Sequence, residues 1–162
     1  MAGERMTSTE LWLRLIHTGS LYGDVMLEAA ARLHNQTTID GPVVRDAGLS
    51  VKQAARFFAF RERELESSLL WLEQPGNYLI TADHPLYPPL LRTIPDYPGA
   101  VFVKGNPNVL NAVQLAVVGS RAPSWYGERW GKILCEQLSQ SGFTITSGLA
   151  CGIDGVAHSA AL

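Results

Sequence analysis

Two short glycine-containing segments, residues 119–121 and 147–152, carry the residue types that could bind an anion. Glycine lets a phosphate approach the backbone closely, and arginine presents a planar set of donors that suits a phosphate. Each segment precedes a predicted helix, whose first N–H groups are unpaired and carry a partial positive charge. The candidate phosphate-binding residues are Gly119, Ser120, Arg121, Ser147, Gly148 and Gly152.

The spacing of these residues leaves a second interpretation open. Gly119-Ser120-Arg121 lacks the later glycines of the dinucleotide fingerprint G-x-G-x-x-G, and no Gly-Lys-Ser/Thr follows to make a P-loop. The glycines could simply form tight turns in an α/β fold, and the hydroxyls of Ser120 and Ser147 could cap local backbone groups. Spacing alone does not decide between a phosphate site and plain turns.

The elements around the two segments are predicted from hydrophobic pattern. Residues 114–118 are nearly all apolar, which is typical of a parallel strand buried on both faces, and residues 143–147 predict a second strand. Between them, Ser124 is a candidate N-cap for a helix to about Ser141, with Gly142 at its C-cap. Its predicted apolar face consists of Tyr126, Trp130, Ile133, Leu134 and Leu138.

A second helix is predicted to begin after Gly152. The resulting order of strand, loop, helix, strand, loop and helix opens a doubly wound parallel sheet, so the fold class is α/β. Adjacent parallel strands place their following loops at one edge, where such sheets bind ligands. Only two parallel strands precede Leu162, so we expect an incomplete Rossmann-like sheet and a truncated chain.

The N-terminal part has a different pattern. Residues 1–75 predict a small helical module, similar to SAM or helix-hairpin-helix modules, and residues 76–162 predict the Rossmann-like domain. Capping-box patterns begin at Thr7 and at Ser50, and the second opens a long predicted helix through Leu72. Asp40-Gly-Pro42 predicts a turn. Residues 84–99 hold five prolines, which predict an ordered loop packed on the sheet.

The run Ser147-Gly-Leu-Ala-Cys-Gly-Ile-Asp-Gly-Val-Ala-His158 resembles the DprA/Smf family. Further segments resemble the same family, namely Val118-Gly-Ser-Arg121, Tyr126-Gly127, Ala160-Ala-Leu162, Tyr87-Pro-Pro-Leu-Leu91, Ile94-Pro-Asp-Tyr-Pro98 and Val101-Phe-Val-Lys-Gly105. The resemblance covers residues 76–162 closely and the N-terminal third more loosely. One position departs from it, because the family has arginine where this chain has Cys151.

The resemblance implies a cytoplasmic, non-enzymatic protein that binds single-stranded DNA. It further implies protection of incoming strands, loading of a RecA-type recombinase in transformation, and a homodimer. On this basis Arg121 is expected to contact phosphate, a contact that positions a strand without recognising its sequence. We expect neither a cofactor nor a metal. Two alternatives stay open: a nucleotide-processing enzyme on a related fold, and a non-functional remnant.

Composition limits these hypotheses. The net charge is −2 and the pI is about 6.1, so a DNA site must be local rather than a property of the whole chain. Cys135 and Cys151 do not make a disulfide framework, which fits a reducing compartment. No apolar run approaches the ~20 residues of a membrane span, and no signal peptide is recognisable, so we expect a cytoplasmic protein without membrane contact.

Four further residues have two interpretations each. Asp154 and His158 lie four residues apart and share a helix face, so an acid–base pair is conceivable. A helix-capping aspartate with a hydrogen-bonded histidine beside it is the plainer explanation. Trp125 and Tyr126 could stack on a base, whereas the helical spacing of Tyr126 favours a core position.

The substitution Cys151→Arg tests whether the second loop faces the ligand. In a chain completed with the missing strands, the added charge should tighten single-stranded DNA binding by about 1–2 kcal/mol, roughly ten-fold. The salt dependence should steepen by about one phosphate. Paired titrations at several salt concentrations measure both quantities. Identical affinities and slopes would place residues 147–152 away from the DNA.

Overall fold

The structure, a computed structural model, describes residues 6–162. By the density of internal contacts, the chain forms two compact units, one ending at Leu110 and the other spanning Asn111–Leu162. The division at residue 75, which composition indicates, stays a prediction. Within residues 6–162, no helix combines the length and the hydrophobicity that crossing a membrane requires.

The first unit begins with a helical module, as the sequence predicts. Its helices are α1 (Ser8–His17), α2 (Gly23–His34), α3 (Gly41–Asp46), α4 (Val51–Phe58) and α5 (Glu62–Leu72). The apolar faces of α1 to α4 enclose one core, in which Leu15, Val44 and Phe57 are fully buried, whereas α5 has no buried residue. Trp12 lies in the same core.

Side-chain caps fix the starts of three of these helices, α1, α3 and α4. The Ser50 hydroxyl accepts a hydrogen bond from the Gln53 N–H, and the Gln53 side chain accepts one from the Ser50 N–H. This confirms the predicted capping box, which satisfies two otherwise unpaired donors. Thr7 likewise caps α1. The expected turn at Asp40 is wrong, because the Asp40 carboxylate accepts from the Val43 N–H and opens helix α3.

The single long helix predicted from Ser50 to Leu72 is also wrong. Helix α4 ends at Phe58, and α5 begins only at Glu62. Non-local contacts stabilise this break, because the Arg14 guanidinium donates to the carbonyl of Phe57 at 3.2 Å. The ring of Phe60, inside the break, lies 4.8 Å from the His17 ring. Helical spacing alone does not report such contacts.

Two antiparallel strands complete the first unit. Strand β1 (Asn77–Thr81) pairs with β2 (Ala100–Lys104). The proline-rich segment between them is an ordered loop with one 3-10 turn, Pro89–Thr93. It packs on this pair through Tyr87 and Tyr97, whose buried hydroxyls donate to the Pro98 carbonyl and the Asp24 carboxylate. Burial raises the pKa of both tyrosines.

The second unit has the predicted β-α-β-α order. Strands β3 (Gln114–Ala116) and β4 (Thr144–Thr146) are parallel and are joined by α6 (Trp125–Gln140), and α7 (Ile153–Ala161) follows β4. The helical module followed by a small parallel sheet confirms the predicted fold class. Helix α6 ends in a Schellman motif, because the N–H of Phe143 donates to the Leu138 carbonyl across Gly142.

The predicted buried face of α6 is wrong for four of its five residues, and only Leu138 packs against the core of this unit. Tyr126, Trp130 and Leu134 are exposed, whereas Cys135 is fully buried. Helix α7 packs instead against the small residues of α6: a Cβ on Gly131 would already touch Ile153 and Val156 at 3.6 Å. Small residues allow two helices to approach closely, so their positions determine which side of α6 faces inward.

The interpretation of residues 114–118 as a strand buried on both faces is wrong as well. The strand covers only Gln114–Ala116, and its three residues are exposed. Within the described chain its one hydrogen-bonded neighbour is β4, so the other edge and much of its surface stay accessible. The apolar sequence identified a parallel strand correctly, but burial depends on neighbours that sequence pattern cannot supply.

Ser50→Ala should lower the free energy of unfolding of the helical module by about 1 kcal/mol, because it removes the capping hydroxyl of α4. Ser67→Ala, an exposed change on α5, is the matched control and should stay within about 0.5 kcal/mol of the unchanged chain. Urea unfolding followed by far-UV circular dichroism measures both. Equal midpoints for the two variants would contradict a stabilising capping box.

Candidate functional site

The two glycine-containing loops meet at one edge of the parallel sheet. Because β3 and β4 are parallel and adjacent, the chain leaves both strands on the same side. The N–H of Ile153 donates to the Ser120 carbonyl at 3.1 Å, which ties the start of α7 to the loop after β3. The Ser147 hydroxyl donates to the Val117 carbonyl at 2.6 Å, nearer the strands. The sequence-based expectation that the loops share an edge is confirmed.

Gly152 and Gly119 are required by the closeness of these loops. Gly152 has a φ of +87°, and a Cβ there would overlap the Ser120 carbonyl oxygen and lie 2.8 Å from the Arg121 Cα. A Cβ on Gly119 would lie 2.7 Å from the Ile153 Cβ. Neither position has room for a side chain, so both glycines are needed where the loop after β3 meets the start of α7, a contact that we call the loop junction.

The segment between β4 and α7 is compact. A Cβ on Gly148 would lie 3.0 Å from Oδ2 of Asp154, a buried residue in the first turn of α7. Leu149, an exposed residue, has a φ of +56°, a backbone conformation that costs a non-glycine residue free energy. This strain and the tight glycine contacts give the loop a defined backbone path rather than an extended one.

The two candidate serines both contact local backbone. The Ser147 hydroxyl uses its proton on the Val117 carbonyl, so it is a structural link between the strands' ends. The Ser120 Oγ accepts a hydrogen bond from the Ala122 N–H at 3.1 Å, and Ser120 itself is exposed. Accepting that bond leaves the Ser120 hydroxyl proton available, so of the two serines Ser120 is better placed to donate to a ligand.

Arg121 is the exposed cation of this edge. Among residues 6–162, its guanidinium has no ion-pair or hydrogen-bond partner. Two other arginines behave differently, because Arg14 pairs with Glu10 at 2.9 Å and Arg56 donates to the Thr18 carbonyl at 2.8 Å. The Arg121 donors therefore remain available for an anion, in a geometry that suits a phosphate.

The proposed acid–base pair is not formed. Asp154 and His158 make no hydrogen bond with each other, and the His158 Nε2 lies 3.4 Å from the Ser147 carbonyl oxygen. No cluster of three or more potential metal ligands occurs in the part of the chain that the structure describes. His158 thus has a local backbone contact, and Asp154 lies in the first turn of α7, where the helix dipole favours a carboxylate.

Three features of this edge were not predicted from sequence. Ile153 lies between Gly119 and Gly131, and so it holds the loop and both helices together. The ring of Trp125 stacks against the guanidinium of Arg129, and Tyr126, expected in the core, is 64% exposed. The glycines at i and i+4 on α6 were the available sequence signal for the first feature, because they mark a close helix contact.

The two cysteines lie in different environments. Cys151 is exposed in the turn before α7, whereas Cys135 is fully buried in a core cluster with Ile145 and Ala157. Burial raises the pKa of the Cys135 thiol, which disfavours the reactive thiolate. Only Cys151 therefore has the access that a chemical probe of this edge needs.

Comparison with protein families gives two matches. The family described as DNA recombination-mediator protein A matches residues 78–162, which include both loops. The SMF/DprA SAM domain matches residues 6–70, which include the helical module. Together the two matches follow the order of elements that the structure shows.

Individual relatives agree with these families. Protein Smf of Escherichia coli is 57% identical over 157 residues, covering 97% of this chain and 42% of that protein. DNA processing protein DprA of Streptococcus pneumoniae is 45% identical over 76 residues, covering 47% of this chain and 27% of that protein. The X-ray structure of the Streptococcus pneumoniae protein superposes with a TM-score of 0.68 at 28% identity, covering 97% of this chain and 54% of that one. The chain thus spans about half or less of the length of these relatives.

Gly152→Ala should lower the free energy of unfolding of the second unit more than Gly142→Ala does. Both glycines have a positive φ, +87° and +89°, but a Cβ on Gly142 meets no atom within 4 Å. Gly142→Ala should cost about 1–2 kcal/mol for backbone strain alone, and Gly152→Ala should cost more because a collision adds to that strain. Thermal unfolding of the two variants measures the difference. Equal losses would contradict the close approach of the loops.

Proposed function

Because this chain belongs to the DprA/Smf family, we propose that it binds single-stranded DNA through the edge formed by residues 119–121 and 147–152. The phosphate-binding residues in this proposal are Gly119, Ser120, Arg121, Ser147, Gly148 and Gly152. Arg121 supplies the charge, and Ser120 supplies a hydroxyl. The four others hold the two loops together and so position Ser120 and Arg121 at the edge of the sheet.

The observation that carries the proposal is the unpaired Arg121 beside a rigid loop junction. A guanidinium without an internal partner keeps its full hydrogen-bonding capacity for a ligand. The Ile153–Ser120 hydrogen bond and the tight glycine contacts fix the backbone on which Arg121 stands. A preorganised site loses less conformational entropy when it binds.

The geometry favours a single strand over a duplex. Duplex sequence is recognised by a helix or a strand pair in the major groove, whereas the residues proposed here lie in two short loops. The net charge of −2 does not provide the extended positive surface that follows a duplex backbone. A flexible strand can instead bend to place individual phosphates at one small basic site.

The finer parts of the proposal rest on the family resemblance. They are a non-enzymatic role in the cytoplasm, protection of incoming DNA, loading of a RecA-type recombinase, and a homodimer. The description of the family, DNA recombination-mediator protein A, and the name of a relative, DNA processing protein DprA, agree with a role on DNA.

Arg121→Ala should weaken binding of oligo-dT about ten-fold and should reduce the salt dependence by about 0.7 log units per decade of salt, one phosphate's worth. Arg63→Ala, an exposed arginine on α5, is the control and should change neither quantity. Fluorescence anisotropy with oligo-dT and a matched duplex, at several salt concentrations, measures both. Equal affinity for single strand and duplex, or no effect of Arg121→Ala, would refute the proposal.

Alkylation of Cys151 gives a second readout at the same edge. Iodoacetamide should modify exposed Cys151 quickly and buried Cys135 only after unfolding. Saturating oligo-dT should slow modification of Cys151, because the bound strand covers the second loop. Cys135, measured in the same peptide map, controls for unfolding. Unchanged labelling of Cys151 in the complex would place the strand elsewhere.

A further inference from the structure

An exposed tryptophan stands at the first residue of α6. Trp125 is 70% exposed, and the guanidinium carbon of Arg129, one helical turn later, lies 5.4 Å from the centre of its ring. This cation–π contact covers one face of the indole and restricts its rotamer. The remaining surface of a large apolar ring therefore stays in water, in a fixed orientation.

The position of Trp125 relates it to the proposed phosphate site. Arg121 precedes Trp125 by four residues, so their Cα atoms lie at most about 14 Å apart even along a fully extended chain. Trp125 is on the side of α6 away from Gly127 and Gly131, the residues that pack against α7. The ring is accessible at the N-terminal end of α6, next to the loop that carries Arg121.

We propose that Trp125, braced by Arg129, is a stacking platform for a nucleobase of the strand whose phosphate Arg121 holds. This inference rests on the proposed function and adds to it a contact with the base. An aromatic ring binds any base through its π face, so the platform contributes affinity without sequence preference. In this arrangement Arg121 contacts the phosphate backbone of the strand, and Trp125 stacks on one of its bases.

Among the charged side chains near the ring on α6, Arg129 is the cation that contacts it. Arg129 is exposed beside the ring and forms no salt bridge with any of residues 6–162. Lys132 faces the same side of α6 but is paired with Glu136 at 3.7 Å. Glu128 is the opposing charge nearby, in the first turn. Proteins that bind single strands combine aromatic stacking on bases with cation–π contacts from arginine.

A second aromatic pair on the same helix provides a control. Tyr126 and Trp130 lie 6.0 Å apart and are also exposed, on a side of α6 between Trp125 and the helix contact. No basic side chain stacks on this pair in the described structure. If this surface bound a protein partner, Trp130 and Trp125 would contribute to binding alike. If Trp125 is a stacking platform for a nucleobase, only its substitution should weaken binding of single-stranded DNA.

The experiment compares the 162-residue chain with Trp125→Ala, Trp125→Phe and Trp130→Ala. The probes are fluorescent oligo-dT and an oligomer of equal length made of abasic sites, which keeps the phosphates and lacks the bases. Trp125→Ala should weaken oligo-dT binding about ten-fold with an unchanged salt slope, because no charge is lost. Trp125→Phe should keep most of the affinity, and Trp130→Ala should stay within about two-fold. The abasic oligomer should bind Trp125→Ala and the unchanged chain alike.

Each other outcome overturns a stated part. Equal loss on oligo-dT and on the abasic oligomer would exclude stacking, as would equal effects of Trp125→Ala and Trp130→Ala. If the unchanged chain binds oligo-dT and Trp125→Ala binds it equally well, the platform is wrong and the phosphate site stands. If the unchanged chain binds no oligo-dT, both proposals fail together. Circular dichroism of each variant verifies that the helices are retained.

Discussion

The second unit depends on a close backbone approach between Gly152 and the loop that contains Ser120 and Arg121. One hydrogen bond, from the Ile153 N–H to the Ser120 carbonyl, closes the junction, and the lack of a side chain at Gly152 and Gly119 permits it. The junction fixes where α7 begins and where the loop before α6 runs. This contact sets the geometry of the candidate site, because Arg121 lies in the loop that the contact holds in place.

Helix packing extends the same constraint. Gly127, Gly131 and Cys135 face α7, so the two helices approach closely and Ile153 fits between them. The bulky residues of α6 consequently point outward, including the aromatic ones at its start. Exposure of Trp125 is thus a consequence of how α7 packs, and the surface available to a strand of DNA follows from contacts on the opposite side of the helix.

Charge is used sparingly in this protein, and its placement matters more than its amount. The chain is slightly acidic, yet arginines act at defined points: Arg14 and Arg56 bind carbonyl oxygens near the ends of α1 and α4, and these donors are consumed by the fold. Arg121 has no such internal acceptor among residues 6–162. A basic side chain left without a partner beside a rigid junction distinguishes a binding residue from a structural one.

The sequence by itself determined the features that depend on neighbours along the chain: the capping box at Ser50, the Schellman end at Gly142, the strand order, and the shared edge of the two loops. Local hydrogen bonds and hydrophobic period encode all of these. Tertiary structure alone decided the break after Phe58, the inward face of α6 and the exposure of Gln114–Ala116. Periodicity states that a helix has an apolar side, but which residues face inward depends on a distant element's shape, here the Ile153 side chain of α7.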